Sequence, residues 1–207
     1  MLKQKSITLI TNTLILSQSK TINLVKEILP CGLKRIQIRE KSMSEKLLEN
    51  FVFKLRELTL GKCELILNGS MELANKYQCD GIHVPDKSKL PHIKRKDEFS
   101  KLTIGKSIHK DYKKENKLEN LVNYVHLGPV FKTKTHPTSL PIYRDKIKEI
   151  CRIKGLSVIL VGGINTYNLN NLINYKISGI AIMRDLLLSK DPESSYIELD
   201  QKLNESQ

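Results

Sequence analysis

Short apolar runs that alternate with helix-like stretches from one end of the sequence to the other constrain the fold more than any other feature. Eight such runs have the length and the aliphatic, β-branched character of strands. The predicted strands are Ser6–Thr11, Arg35–Arg39, Glu64–Asn68, Gly81–Val84, Thr103–Ile108, Tyr124–Leu127, Val158–Val161 and Gly179–Met183. Helix-like segments lie between them, for example at Ser44–Leu60, Met71–Gln78, Tyr143–Lys154 and Thr166–Tyr175. Eight successive βα units predict a parallel sheet closed into a (βα)8 barrel.

An open, doubly wound parallel sheet is the main alternative fold. No G-x-G-x-x-G follows the first predicted strand, which excludes the commonest dinucleotide-binding form of that sheet. No Pro/Gly/Ser-rich linker and no shift in composition divides the chain. We therefore predict that residues 1–207 form one α/β domain, a TIM barrel. Its weakest unit is the fourth, because Lys87–Ser100 is short and charged and predicts a helix of only a turn or two.

The net charge of +13 raises the question of nucleic-acid binding. The lysines are dispersed, however, and aromatic residues make up only 5% of the chain, so the basic and aromatic interleaving that stacks bases is missing. We predict no nucleic-acid partner. The same positive field would attract a phosphate or diphosphate ligand.

The N-terminal segment and the cysteines bear on the compartment. No apolar run approaches the roughly 20 residues that a bilayer span needs, and Asn12 and Thr13 interrupt the first apolar stretch where a signal peptide would continue. The four cysteines lack metal-ligand spacing and are expected to be free thiols. We expect a cytoplasmic protein without a membrane partner, and the sequence leaves a homodimer open.

The end of the second predicted strand carries polar residues at a spacing of two. Strand periodicity places Gln37, Arg39 and Lys41 on one face and Ile36 and Ile38 on the other. The active sites of such barrels form at the carboxyl ends of the strands, and arginine and lysine both bind phosphate there. The alternative is a solvated strand end with two surface cations, and this segment alone does not decide between them.

Two further polar residues lie at predicted strand ends. Asn68 ends the third strand, and Ser107 falls on the mouth side of the fifth. Each side chain could contact a ligand or cap the helix that follows, and capping is the commoner role for both residue types.

Two loops near the end of the chain have the composition of an anion site. Gly128–Thr138 is a long loop with three threonines, two lysines and a histidine, and loops of that length in a compact domain are usually functional or disordered. We predict that it is an anion-binding lid. Gly162 and Gly163 end the seventh strand before a predicted helix, where backbone amides can approach a phosphate.

Taken together, these segments resemble a known family in their order and spacing over nearly the whole chain. The motifs are Gln37-Ile-Arg-Glu-Lys41, Asn68, Asp80-Gly-Ile-His-Val84, Gly105-Lys-Ser107, Gly128-Pro-Val-Phe131 with Thr133 and Thr135, Gly162-Gly-Ile164, and Gly179-Ile-Ala-Ile-Met183. The sequence resembles the superfamily of thiamine phosphate synthases and thiazole tautomerases.

The resemblance implies a transferase reaction of thiamine biosynthesis. Hydroxymethylpyrimidine diphosphate loses diphosphate, and the nitrogen of a thiazole phosphate captures the resulting carbocation-like carbon. By the family pattern, Gln37, Arg39 and Lys41 hold the pyrimidine diphosphate, while Asn68 and Ser107 line the same side.

The resemblance assigns the thiazole side to residues later in the chain. Thr133 and Thr135 would meet the thiazole ligand. The phosphate would be held by the last two strand ends, through Gly162, Gly163, Met183 and Arg184.

The sequence departs from the family pattern where the resemblance implies Mg²⁺. Gly69 and Ser88 stand where the family has its two magnesium aspartates, and Asp86 is a weak substitute. Mg²⁺ is usually held by one or two carboxylates together with substrate phosphates. Synthase activity of the family type implies Mg²⁺ as cofactor; otherwise none is expected. His136 replaces a lysine of the loop and Arg184 replaces a serine.

The resemblance to the tautomerase branch fails at one position, because Pro129 stands where the acid–base histidine belongs. His126 should face the barrel interior, either as a structural histidine or as a proton-transfer group, and His136 is a second proton-transfer candidate. The residues expected to take part in catalysis are Arg39, Lys41, Ser107, His126 and His136. Two alternatives to the synthase remain open: a thiazole tautomerase-like isomerase and a non-catalytic paralog that binds a phosphorylated ligand.

Overall fold

The computed structural model describes residues 4–90, 101–113, 117–135 and 137–205. Eight parallel strands close into a barrel in chain order, and the last strand pairs with the first. The strands are β1 (Ser6–Ile10), β2 (Arg35–Ile38), β3 (Glu64–Leu67), β4 (Gly81–Val84), β5 (Thr103–Ile108), β6 (Tyr124–Leu127), β7 (Val158–Val161) and β8 (Gly179–Ile182). The predicted (βα)8 fold is confirmed, and every predicted strand agrees with the observed one to within a residue at either end.

Helices cover the outside of the barrel. They are α1 (Gln18–Ile28), α2 (Glu45–Thr59), α3 (Met71–Lys76), α4 (Arg144–Cys151), α5 (Arg184–Leu187) and α6 (Pro192–Asn204). Short 3-10 turns occupy Leu118–Asn120 and Leu169–Asn171. In the weak fourth unit, residues 87–90 form a turn and an irregular stretch, and residues 91–100 lie outside the described part of the chain.

The predicted helix at Thr166–Tyr175 is wrong. Only one 3-10 turn forms there, because asparagine side chains bond to the backbone in place of helical partners. The Asn165 side-chain oxygen accepts from the amides of Tyr167 and Asn168, at 3.0 and 3.1 Å. The Asn168 side-chain oxygen in turn accepts from the Asn165 amide at 3.0 Å.

Alternate residues of each strand separate two apolar regions. Outward-facing residues such as Ile36, Ile38 and Leu65 are buried with the helices in the main hydrophobic core. Burying each such side chain contributes about 1.5–3 kcal/mol. A smaller cluster that includes Ile10 and Ile159 fills part of the barrel interior.

The pairing register arranges the inward residues in layers contributed by alternate strands, as expected for this fold. Gln37, His83, His126 and Ala181 form one layer. Below it, nearer the amino ends of the strands, lies the layer of Arg35, Gly81, Tyr124 and Gly179. The interior is therefore more polar than the Val, Ile and Leu layers usual in such barrels.

The two ends of the described chain meet below the barrel. The Lys5 amide donates to the Asn204 side-chain oxygen at 3.0 Å, and the Asn204 side-chain nitrogen donates to the Lys5 carbonyl at 3.2 Å. The last turn of α6 is thereby fastened to the start of β1.

The four cysteines are free thiols, as predicted, and three of them are buried. Across the described ranges, no helix is both long enough and apolar enough to cross a bilayer.

Candidate active site

The end of β2 runs from the barrel interior to the rim of the mouth. Gln37 is buried, with 2% of its surface exposed, and its side-chain oxygen has no hydrogen-bond partner among the described residues. Arg39 is half-buried and Lys41 is exposed. Ile36 and Ile38 point the other way into the main core, so the predicted alternation is confirmed for Ile36, Gln37 and Ile38.

Glu40 fixes the loop that carries Arg39, a role the sequence reasoning missed. One carboxylate oxygen accepts from the Thr11 hydroxyl, and the other accepts from the amide and hydroxyl of Thr13, at 2.8 and 2.6 Å. The Arg39 amide donates to the Thr11 hydroxyl at 3.2 Å. Burial lowers the pKa of Arg39 and the neighbouring Glu40 opposes that shift. The loops after β1 and β2 are thereby joined, which holds the guanidinium stem at the mouth.

A hydrogen-bonded chain leads from the lower interior to the mouth through His83. Its Nδ1 lies 3.1 Å from the Tyr124 hydroxyl and its Nε2 lies 2.9 Å from the Ser107 hydroxyl. Burial, with help from Lys106 and two arginines, lowers the pKa of His83 to about 3, so the ring is neutral at pH 7.

Hydrogen-bond satisfaction assigns the tautomer of this ring. The Tyr124 hydroxyl is buried and has no other partner among the described residues, so its proton goes to His83 Nδ1. The neutral ring then carries its proton on Nε2, which donates to the Ser107 oxygen. The Ser107 hydroxyl proton is left to donate to a ligand.

His126 faces the barrel interior, as predicted. Its ring packs against that of His83 in a tilted arrangement, and its Nε2 is buried without a partner among the described residues. Burial lowers the pKa of His126 well below its usual value, and repulsion from His83, when that ring is protonated, and from Arg35 adds to the shift. The imidazole is neutral and lies beneath the mouth, with 3% of its surface exposed.

The loop after β6 packs directly on the glycine turn after β7. The amides of Val130 and Phe131 donate to the carbonyls of Val161 and Gly162, both at 3.0 Å. Gly163 has a φ of +70°, and a Cβ there would lie 2.4 Å from the Lys132 carbonyl oxygen. The predicted anion loop and the predicted phosphate turn are therefore in contact.

Thr133 and Thr135 follow Lys132 in that loop. The Thr135 amide donates to the Thr133 hydroxyl at 3.3 Å, and the Thr135 hydroxyl is buried without a partner in the part of the chain the structure describes. His136, the second proton-transfer candidate, lies outside the described residues.

The glycine turn is held by an asparagine and not by a following helix. The Asn168 side-chain nitrogen donates to the Gly163 carbonyl at 2.8 Å. An anion at Gly163 would therefore meet turn amides without the helix end that the sequence suggested. At the end of β8, Met183 is half-buried, and the Arg184 Nε is buried without a partner among the described residues.

Asn68 is not a helix cap. The α3 cap is Ser70, whose hydroxyl accepts from the Leu73 amide at 3.0 Å. Asn68 is half-buried at the end of β3.

Comparison with known proteins identifies the family of this chain. The sequence model of the family described as thiamine monophosphate synthase matches residues 7–186. The chain belongs to this family. A thiamine-phosphate synthase of Hydrogenobaculum is 24% identical over 97% of the chain and 94% of its own length. That of Dictyoglomus turgidum is 31% identical over 82% of the chain and 77% of its own length.

A solved structure supports the fold of this thiamine monophosphate synthase family member. The thiamine phosphate pyrophosphorylase of Pyrococcus furiosus superposes with a TM-score of 0.81, covering 98% of this chain and 97% of its own, at 22% identity. Members of the family are transferases that act on small phosphorylated substrates.

The family resemblance implies a Mg²⁺ site at positions 69 and 88, and neither residue there carries a carboxylate. Gly69 has no side-chain ligand, and Ser88 offers only a hydroxyl. No group of three histidine, cysteine or acidic side chains comes together within the described residues. Asp86 is a lone carboxylate, and its backbone carbonyl accepts from the Lys106 ammonium at 3.0 Å.

Proposed function

We propose that this protein is a transferase of the thiamine phosphate synthase type, which joins hydroxymethylpyrimidine diphosphate to a thiazole phosphate without a protein-held Mg²⁺. One observation carries the proposal: Gln37, Arg39 and Lys41 run in order from the buried interior to the exposed rim. A ligand with an uncharged heterocycle and an anionic tail matches that order.

The proposed reaction breaks one bond and forms another at the same carbon. The carbon–oxygen bond to the diphosphate breaks, and the diphosphate leaves with the bonding pair. The thiazole nitrogen then donates its lone pair to the same carbon, which gives thiamine phosphate and free diphosphate. Arg39 and Lys41 would stabilise the departing charge, and such stabilisation is strongest in a site from which water is excluded.

Ser107 and Gln37 would orient the pyrimidine. The His83 Nε2–H donates to the Ser107 oxygen, so the serine hydroxyl can donate to the ligand. The unpartnered Gln37 oxygen can accept from an amino group. Asn68 would line the same side.

The thiazole phosphate would bind at the last two strand ends. Gly162 and Gly163 would offer turn amides, and the unpartnered Arg184 Nε would add a charged donor. Met183, Thr133 and Thr135 would enclose the ring.

One observation favours a second candidate, a thiazole tautomerase-like isomerase. Neutral His126 has an unpartnered Nε2 in the interior and could transfer a proton. His136 is proposed as the alternative proton-transfer group. The third hypothesis is a barrel that binds the phosphorylated ligand without catalysis.

Turnover of the purified protein tests the proposal. Both phosphorylated substrates are incubated with the protein in EDTA and, separately, in Mg²⁺, and thiamine phosphate is measured by chromatography. We expect product in both buffers and loss of product in the Arg39→Gln variant. No product in either buffer would refute the synthase, and NMR of the thiazole carboxylate tautomers would then test the isomerase.

A further inference from the structure

The Lys106 ammonium is surrounded by backbone carbonyls of a single loop. Its Nζ donates to the carbonyls of Pro85, Asp86 and Ser88 at 3.1, 3.0 and 2.8 Å. These residues follow β4 directly, at the mouth of the barrel. Three carbonyl oxygens that converge on one positive charge form the kind of oxygen shell that a bound cation would have.

The position of this lysine on its strand is unusual. Lys106 lies between Ile104 and Ile108 on the face of β5 that looks away from the barrel interior, and Ile108 belongs to the main core. Burial lowers the pKa of Lys106, and the Asp86 carboxylate opposes the shift. A charge placed on an apolar face needs compensating partners, and the loop carbonyls supply them.

The loop held by Lys106 adjoins the proposed site. Ser107 follows Lys106 on β5 and points inward to His83, while His83 lies two residues before Pro85 on β4. Two features therefore meet at strands β4 and β5. The loop bound to Lys106 lies on their outer face, and the Ser107–His83 contact lies on their inner face.

We propose that Lys106 is a positioning residue that acts as a built-in cation and orders the loop after β4 in place of a divalent metal. The Lys106 ammonium already occupies the carbonyls of Pro85, Asp86 and Ser88. Asp86 carries the only carboxylate among residues 85–90. The consequence that diphosphate binds at this mouth without Mg²⁺ rests on the proposed function. The ordering of the loop does not.

Amide hydrogen exchange of the full chain tests the loop directly. The Ser88 amide donates to the Pro85 carbonyl at 3.1 Å and reports the order of the loop. In Lys106→Gln we expect Ser88 exchange to quicken by about tenfold or more, as for loss of a charged hydrogen bond. Lys87→Gln, which removes an exposed charge from the same loop, should leave exchange unchanged.

An internal reference separates loop release from unfolding. The Val125 amide donates to the Ser157 carbonyl at 2.8 Å within the barrel and should stay protected in both variants. If Lys106→Gln loses that protection as well, Lys106→Arg, which keeps a charge, should restore both amides. Failure of arginine to restore Ser88 protection in a folded barrel would overturn the inference.

Metal addition gives the second arm. In the wild-type protein, Ser88 exchange should be the same in EDTA and in millimolar Mg²⁺, and titration with MgCl₂ alone should give no saturable heat. Slower Ser88 exchange with Mg²⁺ would overturn the inference, as would wild-type exchange in Lys106→Gln. These readouts need neither substrate nor turnover, so they fail or succeed separately from the proposed function.

Discussion

The imidazole ring of His126 packs against that of His83 in a tilted contact, with 4.4 Å between the ring centroids and 39° between the ring planes. Both rings belong to one interior layer and both are buried. Two imidazoles cannot both be charged at that separation without large cost. Burial lowers the pKa of each ring, so the pair is neutral in the folded barrel at pH 7, and its neutrality has a measurable effect on stability.

Acidification should destabilise the protein through this pair. The folded-state pKa values, about 3 for His83 and well below 6.5 for His126, lie under those of the unfolded chain. The unfolded chain thus binds more protons below about pH 6.5, and stability is complete above that pH and falls as the pH drops toward 3. In His126→Phe the loss of unfolding free energy between pH 6 and pH 5 should be smaller by roughly 1 kcal/mol. Urea titrations at several pH values measure this, and equal slopes for both proteins would contradict it.

Removing the Tyr124 hydroxyl should allow the tautomer of His83 to change. In Tyr124→Phe, Nδ1 loses its donor, so the ring proton can move from Nε2 to Nδ1 and the Ser107 hydroxyl can turn inward. Nitrogen-15 NMR of His83 should show the protonated nitrogen change or become mixed. Turnover should fall about fivefold, as expected for about 1 kcal/mol of lost hydrogen bonding. Tyr143→Phe, at an exposed tyrosine, is the control, and an Nδ1–H tautomer of His83 in the wild-type protein would refute the assignment.

A methyl group at Gly163 should disconnect the anion loop from the phosphate turn. The added Cβ would meet the Lys132 carbonyl oxygen, so the loop bearing Thr133 must move. Gly61 has the same φ of +70° with nothing within 4 Å of its Cβ position, so Gly61→Ala carries the same backbone strain without the clash. By calorimetry, we expect thiazole phosphate affinity to fall at least tenfold in Gly163→Ala, about 1.4 kcal/mol, and to stay unchanged in Gly61→Ala. Equal effects in the two variants would mean that strain alone is responsible.

Arg184 should strengthen binding of the thiazole phosphate. Its Nε is a buried donor with no partner among the described residues, and a charged hydrogen bond is worth about 1.5–3 kcal/mol. Arg184→Ser should therefore weaken phosphate binding by about tenfold or more. Arg152→Ser removes an exposed charge elsewhere on the chain and serves as the control. Unaltered affinity in Arg184→Ser would remove this residue from the site.

The barrel itself could be read from the sequence because its strands are short, apolar and evenly interrupted. Alternation along β2 correctly placed Ile36 and Ile38 in the core and Gln37 in the interior. The helix after β7 could not be read correctly, because the local bonds of Asn165 and Asn168 outweigh an otherwise helical pattern.

The parts of the site that sequence reasoning missed depend on contacts between distant segments. Glu40 acts on Thr11 and Thr13, and Tyr124 reaches His83 across the barrel. Part of this arrangement could be predicted, because Tyr124 and His126 lie two residues apart on β6 and therefore share its inward face. Lys106 was visible as a charge at an outward position where its neighbours Ile104 and Ile108 are apolar.

The bonds between Lys5 and Asn204 have a practical consequence for handling the protein. They hold both ends of the described chain at the amino ends of the strands, on the side opposite the proposed ligand entrance. A label attached at Lys5 or Asn204 would therefore lie on that underside, away from the entrance. Deleting the last turn of α6 would instead remove two hydrogen bonds from Lys5. Lys5 directly precedes β1, whose pairing with β8 closes the barrel.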